Sequence, residues 1–69
     1  MKKYASDITD NDILIVKGRN VIIDWLYYDQ EADIITFLGY FEDNGDEFQS
    51  QVYRDKVYTV NLNYRPLVG

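Results

Sequence analysis

The chain has 69 residues and a net charge of -5, and it contains neither cysteine nor histidine. Without these two residue types it can form neither disulfide bonds nor thiolate or imidazole metal sites, and catalysis that depends on Cys or His is excluded. The length fits a single domain, and a hydrophobic content of 46% is high enough for a folded core.

Three segments follow from the distribution of apolar residues. Residues 1–12 are a polar N-terminal segment, in which the Ser and Asp residues of 6–12 supply the N-cap chemistry of a short helical turn. Residues 13–63 carry the apolar runs of a five-stranded β domain. Residues 64–69 are predicted to form a C-terminal tail, because Pro66 cannot donate a hydrogen bond to a sheet.

The first three predicted strands lie in the first half of that domain. Ile13–Val16 is a short apolar run, followed by a turn in which Gly18 and Asn20 tolerate a positive φ. Val21–Tyr28 and Ile34–Phe41 are rich in β-branched and aromatic residues and are joined by a short polar break. This pattern predicts a central β-hairpin with both faces partly covered.

Two further strands complete the predicted sheet. The Asn44-Gly45 pair precedes a strand over Phe48–Arg54 and favours a type I′ turn, and a fifth strand is predicted over Val57–Asn63. Five short consecutive strands favour an antiparallel meander that curls into a small SH3-like or OB-like barrel, and Gly39 fits a bulge or bend in the third strand. The alternative is an open sheet covered by a dimer partner, with the first and fifth strands as its edges.

Alternation along the hairpin assigns its side chains to two faces. The face predicted to enter the core carries Val21, Ile23, Trp25 and Tyr27 of the second strand and Ile35, Phe37 and Phe41 of the third. The opposite face is predicted to be half-exposed, and it carries Leu26, Tyr28, Leu38 and Tyr40, joined by Tyr53 of the fourth strand. Tyrosines in acidic surroundings are typical of a protein-binding patch. The alternative to a protein-binding patch is that the N-terminal segment, the C-terminal tail or closure of the barrel covers this face.

Charge is distributed unevenly along the chain. No Lys or Arg lies between Asn20 and Tyr53, a stretch that holds the carboxylates Asp24, Asp29, Glu31, Asp33, Glu42, Asp43, Asp46 and Glu47. Because binding of nucleic acid depends on cationic contacts with phosphates, this stretch should repel nucleic acid.

Most of these carboxylates belong to two acidic hairpin tips, residues 29–33 and 42–47. The first tip alternates its carboxylates as Ca²⁺ loops do, but the glycine and the distal Glu of such loops are missing, so solvated tips without a metal are predicted. A meander places the basic turn 17–19 beside the second tip and the basic turn 54–56 beside the first. Each acidic tip therefore has neighbouring cations that partly compensate its charge.

No catalytic arrangement and no cofactor are predicted. Asp24 is the one carboxylate embedded in an apolar run, and a position that points out of the sheet accounts for it. Paired carboxylates for glycoside hydrolysis need a cleft between them, which five short strands hardly provide.

We interpret the chain as a small acidic interaction module that binds a protein with a basic surface. The predicted protein-binding residues are Asp29, Glu31, Asp33, Glu42, Asp43, Asp46, Glu47, Tyr28, Tyr40 and Tyr53. One specific form is a nucleic-acid mimic, as in the small acidic inhibitors that phages make against host DNA-processing enzymes. The alternatives are a homodimer or assembly subunit that uses its edge strands and, third, a nucleic-acid-binding barrel. The lack of cysteine indicates the cytoplasm (of the host, if the chain is phage-encoded), and no apolar run approaches the roughly 20 residues of a membrane span.

Overall fold

The computed structural model describes residues 1–64, which form one open sheet of six antiparallel strands. The strands are β1 (Lys2–Tyr4), β2 (Ile13–Val16), β3 (Arg19–Asp29), β4 (Ile34–Phe41), β5 (Glu47–Tyr53) and β6 (Val57–Val60), and a 3-10 helix over Ala5–Asp7 follows β1. Their order across the sheet is β1-β6-β2-β3-β4-β5. The all-β prediction and the meander from β2 to β5 are thus confirmed.

Two features of the strand order differ from a five-stranded meander. β1 was not predicted, and β6 leaves β5 to pair with β2, with Leu14 opposite Val60. The N-terminal segment contributes to this rearrangement, because the backbone N–H groups of Ala5 and Ser6 donate to the carbonyls of Lys56 and Arg54 in the turn before β6. The edges are therefore β1 and β5, and the prediction that the first and last strands of the domain are edges is wrong.

The sheet curls around a core on its concave side. The buried core side chains are Ala5, Ile8, Leu14, Val21, Ile23, Ile35, Phe37 and Val60. Tyr58 on β6 contacts Phe37 on β4 edge to face, with ring centroids 5.6 Å apart, and its hydroxyl lies 2.8 Å from Ser50 Oγ on β5. Side chains therefore connect β6 to β4 and β5, although β5 pairs only with β4 within residues 1–64.

A β-bulge in β3 decides which side chains enter this core. The β3–β4 register shifts between Ile23 and Trp25, which leaves Asp24 as the extra residue. Opposite the bulge, a Cβ atom at Gly39 would meet the carbonyl oxygen of Ile22, so only glycine fits without movement of the backbone. The sequence predicted a bulge or bend in the strand that holds Gly39; the bulge lies instead on the neighbouring strand β3, opposite this glycine.

The bulge reverses the alternation of β3. Before it, Val21 and Ile23 point into the core as predicted; after it, Leu26 and Tyr28 pack against the core. Trp25 and Tyr27 are instead 49% and 54% exposed, so their predicted place in the core is wrong. On β4, which has no such shift towards β5, Ile35 and Phe37 are buried and Phe41 packs against the core as predicted.

The turn between β2 and β3 has a positive φ at Lys17 (54°) and Gly18 (76°). These two consecutive residues are the central pair of a type I′ hairpin turn, with Val16 opposite Arg19. Asn20, which was assigned to the turn as a residue that tolerates a positive φ, lies instead in β3 opposite Ile15.

The turn between β4 and β5 is longer than the predicted type I′ turn at Asn44-Gly45. Only Gly45 has a positive φ (75°), and the loop is closed by a hydrogen bond from Phe41 N to Asp46 O. The Asn44 side chain stabilises the longer loop, because its Oδ1 accepts from Asp46 N at 2.9 Å and its Nδ2 donates to Asp46 Oδ2.

The two terminal segments also differ in detail. A 3-10 helix lies over Ala5–Asp7, at the start of the segment whose Ser and Asp residues were expected to supply an N-cap, but its N-cap residue is Tyr4 and makes no capping side-chain hydrogen bond. β6 ends at Val60, three residues before the predicted end, and Leu62 is exposed. Residues 65–69 of the predicted tail lie outside the described residues.

Candidate protein-binding surface

The convex side of β3, β4 and β5 carries exposed aromatic residues, and we call it the outer face. Register places Trp25 opposite Leu38 and Tyr27 opposite Thr36, so these side chains emerge on the same side of the sheet. The rings of Trp25 and Tyr27 lie parallel, with an interplanar angle of 8° and centroids 5.9 Å apart. Tyr40 lies on the same face, 37% exposed. The outer face thus carries a stacked Trp25–Tyr27 pair, with Tyr40 two residues beyond Leu38 on the neighbouring strand.

The predicted half-exposed face is divided by the bulge. Leu38, Tyr40 and Tyr53 lie on the outer face as expected, and Tyr53 is 66% exposed. Leu26 and Tyr28 lie on the concave side instead, where they pack against the core. Trp25 and Tyr27 take their places on the outer face. Gly39 was the available signal for this exchange, since a bulge opposite it reverses every later side chain of the strand.

The acidic tip between β3 and β4 is organised by its own carboxylates. Asp29 Oδ1 accepts from the backbone N–H groups of Glu31 and Ala32 at 3.1 and 3.2 Å, which closes the loop. Asp33 adopts a positive φ of 56°, and its Oδ1 accepts from the Tyr28 hydroxyl at 3.2 Å. Of the predicted binding residues in this tip, only Glu31 has a carboxylate without a hydrogen-bond donor among residues 1–64.

A cation lies beside this tip, as the order of the turns predicts. The backbone N–H of Arg54 donates to the carbonyl of Asp33 at 3.1 Å. The nearby Tyr28 hydroxyl and the Asp33 charge raise the pKa of Arg54. The Tyr28 hydroxyl thus lies between a carboxylate and a guanidinium, on the concave side of the sheet.

The acidic tip between β4 and β5 is also engaged internally. Arg19 Nε and Nη2 donate to the two oxygens of Asp43, each at 2.8 Å, and the guanidinium lies 4.0 Å above the ring centroid of Phe41. The hydrogen bond from Arg19 lowers the pKa of Asp43 below its ordinary value. Glu42 accepts from the side-chain amide of Asn20 at 3.3 Å. Asp46 is held by Asn44 as described above, whereas Glu47 is exposed at the start of β5.

The structure therefore separates the ten predicted binding residues into groups. Carboxylates that close loops or pair within the chain are Asp29, Asp33, Glu42, Asp43 and Asp46. Tyr40 and Tyr53 lie on the outer face, Tyr28 lies on the concave side, and Glu31 and Glu47 are exposed. Sequence reasoning missed Trp25 and Tyr27, which present the largest exposed aromatic surface of β3.

The outer face offers aromatic stacking surface, apolar contact and hydrogen-bond acceptors. Among residues 1–64, no group of three or more acidic side chains is arranged to hold a metal ion. Asp24 is exposed at the bulge, which is the outward position considered from the sequence.

No helix within residues 1–64 is long and apolar enough to cross a bilayer. No protein-family model matches the chain, and a search of curated proteins finds no significant match.

Proposed function

We propose that this chain is a small non-catalytic interaction module that binds a basic protein surface through its outer face. The observation that carries this proposal is the exposure of Trp25, Tyr27 and Tyr40 on one side of a sheet in a stretch without Lys or Arg. Tyr and Trp are enriched at the centres of protein interfaces, where they bury large areas at a small cost in side-chain entropy.

Charge supports a basic partner. The outer face has Asp24, Asp29 and Glu47 around its aromatic residues and no cation between Asn20 and Tyr53. Such a surface attracts cationic proteins over long range and accelerates their association. Single-stranded nucleic acid also stacks on aromatic residues, but its phosphates need a positively charged groove. A nucleic-acid ligand is therefore disfavoured.

A nucleic-acid mimic is the narrower form of this proposal, as in a phage inhibitor. Mimicry requires carboxylates that are free to replace phosphates, and five of the seven carboxylates predicted to bind already accept hydrogen bonds within the chain. This internal engagement supports contact centred on the aromatic residues, with charge in a steering role.

We also infer that the curled sheet is a small SH3-like or OB-like barrel. The return of β6 to β2 and the contacts of Tyr58 with Phe37 and Ser50 support it, because they bring β6, the neighbour of edge strand β1, close to the opposite edge strand β5. Nuclear Overhauser contacts between backbone protons of the two edge strands, β1 and β5, are expected for a closed barrel and would be missing for an open sheet.

A second candidate is a structural assembly through β5. This edge strand is seven residues long, whereas β1, the other edge, has three residues and carries Lys2 and Lys3, which discourage edge pairing. A second copy of the chain would therefore add to β5 rather than to β1.

The outer-face proposal is tested with a matched pair of tyrosines. Tyr27 on the outer face and Tyr4 on β1 are 54% and 55% exposed, so replacement of either by Ala removes the same chemistry from the surface. A basic protein captured by the wild-type chain would be purified, and its dissociation constant measured for both variants. We expect Tyr27→Ala to weaken the complex by about 1–3 kcal/mol and Tyr4→Ala to have little effect. Equal effects of the two substitutions would contradict an interface on the outer face.

Electrostatic steering is tested in the same complex. Glu31→Gln and Glu47→Gln remove exposed carboxylates that close no loop, so the fold should be unaffected. Association should be slower for these variants than for the wild type at low salt, and the difference should shrink as salt rises. Association that is indifferent both to salt and to these substitutions would contradict the basic partner.

A further inference from the structure

A surface cavity lies where the loop after the 3-10 helix meets the bulge of β3. It has a volume of about 390 Å³ and is lined by Ile8, Thr9, Asp10, Asp24, Trp25 and Leu26. This volume is near the lower end of the range of about 300–1,000 Å³ that is typical of ligand pockets. The cavity adjoins the outer face, because Trp25 contributes to both.

The two carboxylates in this cavity have no partner among residues 1–64. Neither Asp10 nor Asp24 accepts a hydrogen bond there, and neither forms an ion pair. Nearby Asp12, in contrast, is bound by Lys3 Nζ at 3.1 Å and by the backbone N–H of Thr9 at 3.0 Å. The cavity thus combines two unpaired negative charges with an indole and apolar side chains.

The walls of the cavity are fixed by the fold. Ile8 is 4% exposed and belongs to the core, and the partly buried Leu26 packs against it, so both apolar walls of the cavity are in contact with the core. The bulge sets the positions of Asp24 and Trp25, because its extra residue makes both side chains solvent-exposed where a regular strand would bury one of them. The cavity is therefore preformed, and little ordering is needed when a ligand enters.

We propose that this cavity binds an arginine side chain of the basic partner, an inference that rests on the proposed function. A guanidinium is planar, more weakly hydrated than an ammonium, and able both to pair with carboxylates and to stack on aromatic rings. Asp10 and Asp24 supply the carboxylates, and Trp25 supplies the aromatic wall. Ile8 and Leu26 contact the aliphatic part of the arginine side chain.

The test uses N-acetyl-arginine amide as a probe of the cavity. Two control compounds are N-acetyl-citrulline amide, a neutral analogue of nearly the same shape, and N-acetyl-lysine amide, which has the same charge. Binding is followed by ¹H–¹⁵N correlation spectra. Trp25 is the one tryptophan of the chain, so the indole N–H signal reports on the cavity without ambiguity.

We expect the arginine probe to shift the indole signal and the backbone amides of residues 8–10 and 24–26, and the citrulline compound to leave them in place. Asp24→Asn and Asp10→Asn should each weaken binding of the arginine probe by about two- to fivefold, as for other exposed ion pairs. Asp55→Asn makes the same change of charge in the exposed turn before β6, away from the cavity, and should leave the binding constant unchanged.

Three results would overturn the assignment. They are shifts distributed over other acidic surfaces, a lysine probe that binds as tightly as the arginine probe, and equal losses for Asp24→Asn and Asp55→Asn. The affinity of the two variants for the protein partner distinguishes a failure of this assignment from a failure of the proposed function. If Tyr27→Ala weakens that complex but Asp24→Asn does not, the outer face binds the partner and the cavity does not hold its arginine.

Discussion

Replacement of Gly39 by Ala tests the bulge on which the outer face depends. The new Cβ would meet the carbonyl oxygen of Ile22, and it would lie 2.9 Å from the carbonyl carbon of Ile22 and 3.1 Å from Cα of Ile23. All three are backbone atoms, so no change of rotamer relieves the contact, and β3 and β4 must separate locally. Overpacking costs about 1–3 kcal/mol, and each lost hydrogen bond adds about 0.5–1.5 kcal/mol. A total near 3 kcal/mol is most of the roughly 3–5 kcal/mol available to a domain of this size.

Thermal unfolding followed by Trp25 fluorescence measures this loss. A change of about 3 kcal/mol should lower Tm by about 12–24 °C, since each kcal/mol corresponds to about 4–8 °C in a small domain. Gly45→Ala is the matched control, because Gly45 has a φ of 75° but no atom within 4 Å of the added Cβ. Its cost is limited to the backbone strain of about 1–2 kcal/mol. A Gly39→Ala protein at least as stable as the Gly45→Ala protein would refute the close approach of β3 and β4.

Three further measurements examine the contacts that shape the sheet. Tyr58→Phe should destabilise the fold by about 0.5–1.5 kcal/mol in urea titrations, because it removes the 2.8 Å hydrogen bond with Ser50. In a double-mutant cycle, Tyr58→Phe should cause no further loss of stability in a chain that already carries Ser50→Ala. Fully additive losses of stability would argue against the hydrogen bond. The lowered pKa of Asp43 means that its pairing with Arg19 contributes stability above the carboxyl pKa of the unfolded chain, about 3.9, and loses it as pH falls through the lower folded pKa. The difference in Tm between wild type and Asp43→Asn should therefore shrink below about pH 4, and a constant difference down to pH 2 would contradict this linkage. Sedimentation at micromolar concentration should show a monomer if the barrel is closed, whereas a dimer would favour assembly through β5.

The strands that are defined by local patterning could be predicted from the sequence. Ile13–Val16 and the hairpin that follows it are apolar runs bounded by polar turns, and the structure places β2, β3 and β4 there. β1 could not be predicted in this way, since Lys2–Tyr4 is too short and too polar to show a pattern. Its pairing depends on Val57–Thr59, which lies more than fifty residues further along the chain.

The assignment of the β3 side chains to the two faces of the sheet could not be predicted from local patterning, for a different reason. Apolar residues occupy adjacent positions on both sides of Asp24, so either register offers the core a plausible set of side chains. A shift of one residue reverses every side chain beyond it, and the contact that imposes the shift is made by Gly39 on another strand. The glycine was recognised as a bulge signal, but its effect on Trp25 and Tyr27 follows only when the two strands are paired.

Prediction of the candidate site from the sequence was limited in the same way, because the site depends on contacts between residues that are distant along the chain. The order of the turns was sufficient to place Arg19 beside the second acidic tip, and the structure confirms this with its two hydrogen bonds to Asp43. A linear count of charges could not show that the tip carboxylates close their own loops, because that depends on which donors the folded loop brings to them. The sequence did distinguish Asp24 as the one carboxylate within an apolar run, but it could not show that this carboxylate has no internal partner within residues 1–64.

The bulge affects both the stability of the domain and its surface, because it decides which β3 side chains pack against the core and which are exposed. A domain of this size buries only about 60% of its unfolded surface. Each large aromatic side chain that enters the core adds about 150–250 Å² to the buried surface. An unshifted β3 would turn Trp25 and Tyr27 towards the core, whereas the bulged strand packs Leu26 and Tyr28 against it and leaves the indole half-exposed. The core receives the smaller pair of side chains, and the unpaired Asp24 is set beside the exposed Trp25. The bulged register therefore gives up some apolar burial and leaves an aromatic surface beside an unpaired carboxylate, which is the surface that the substitutions at Tyr27 and Asp24 test.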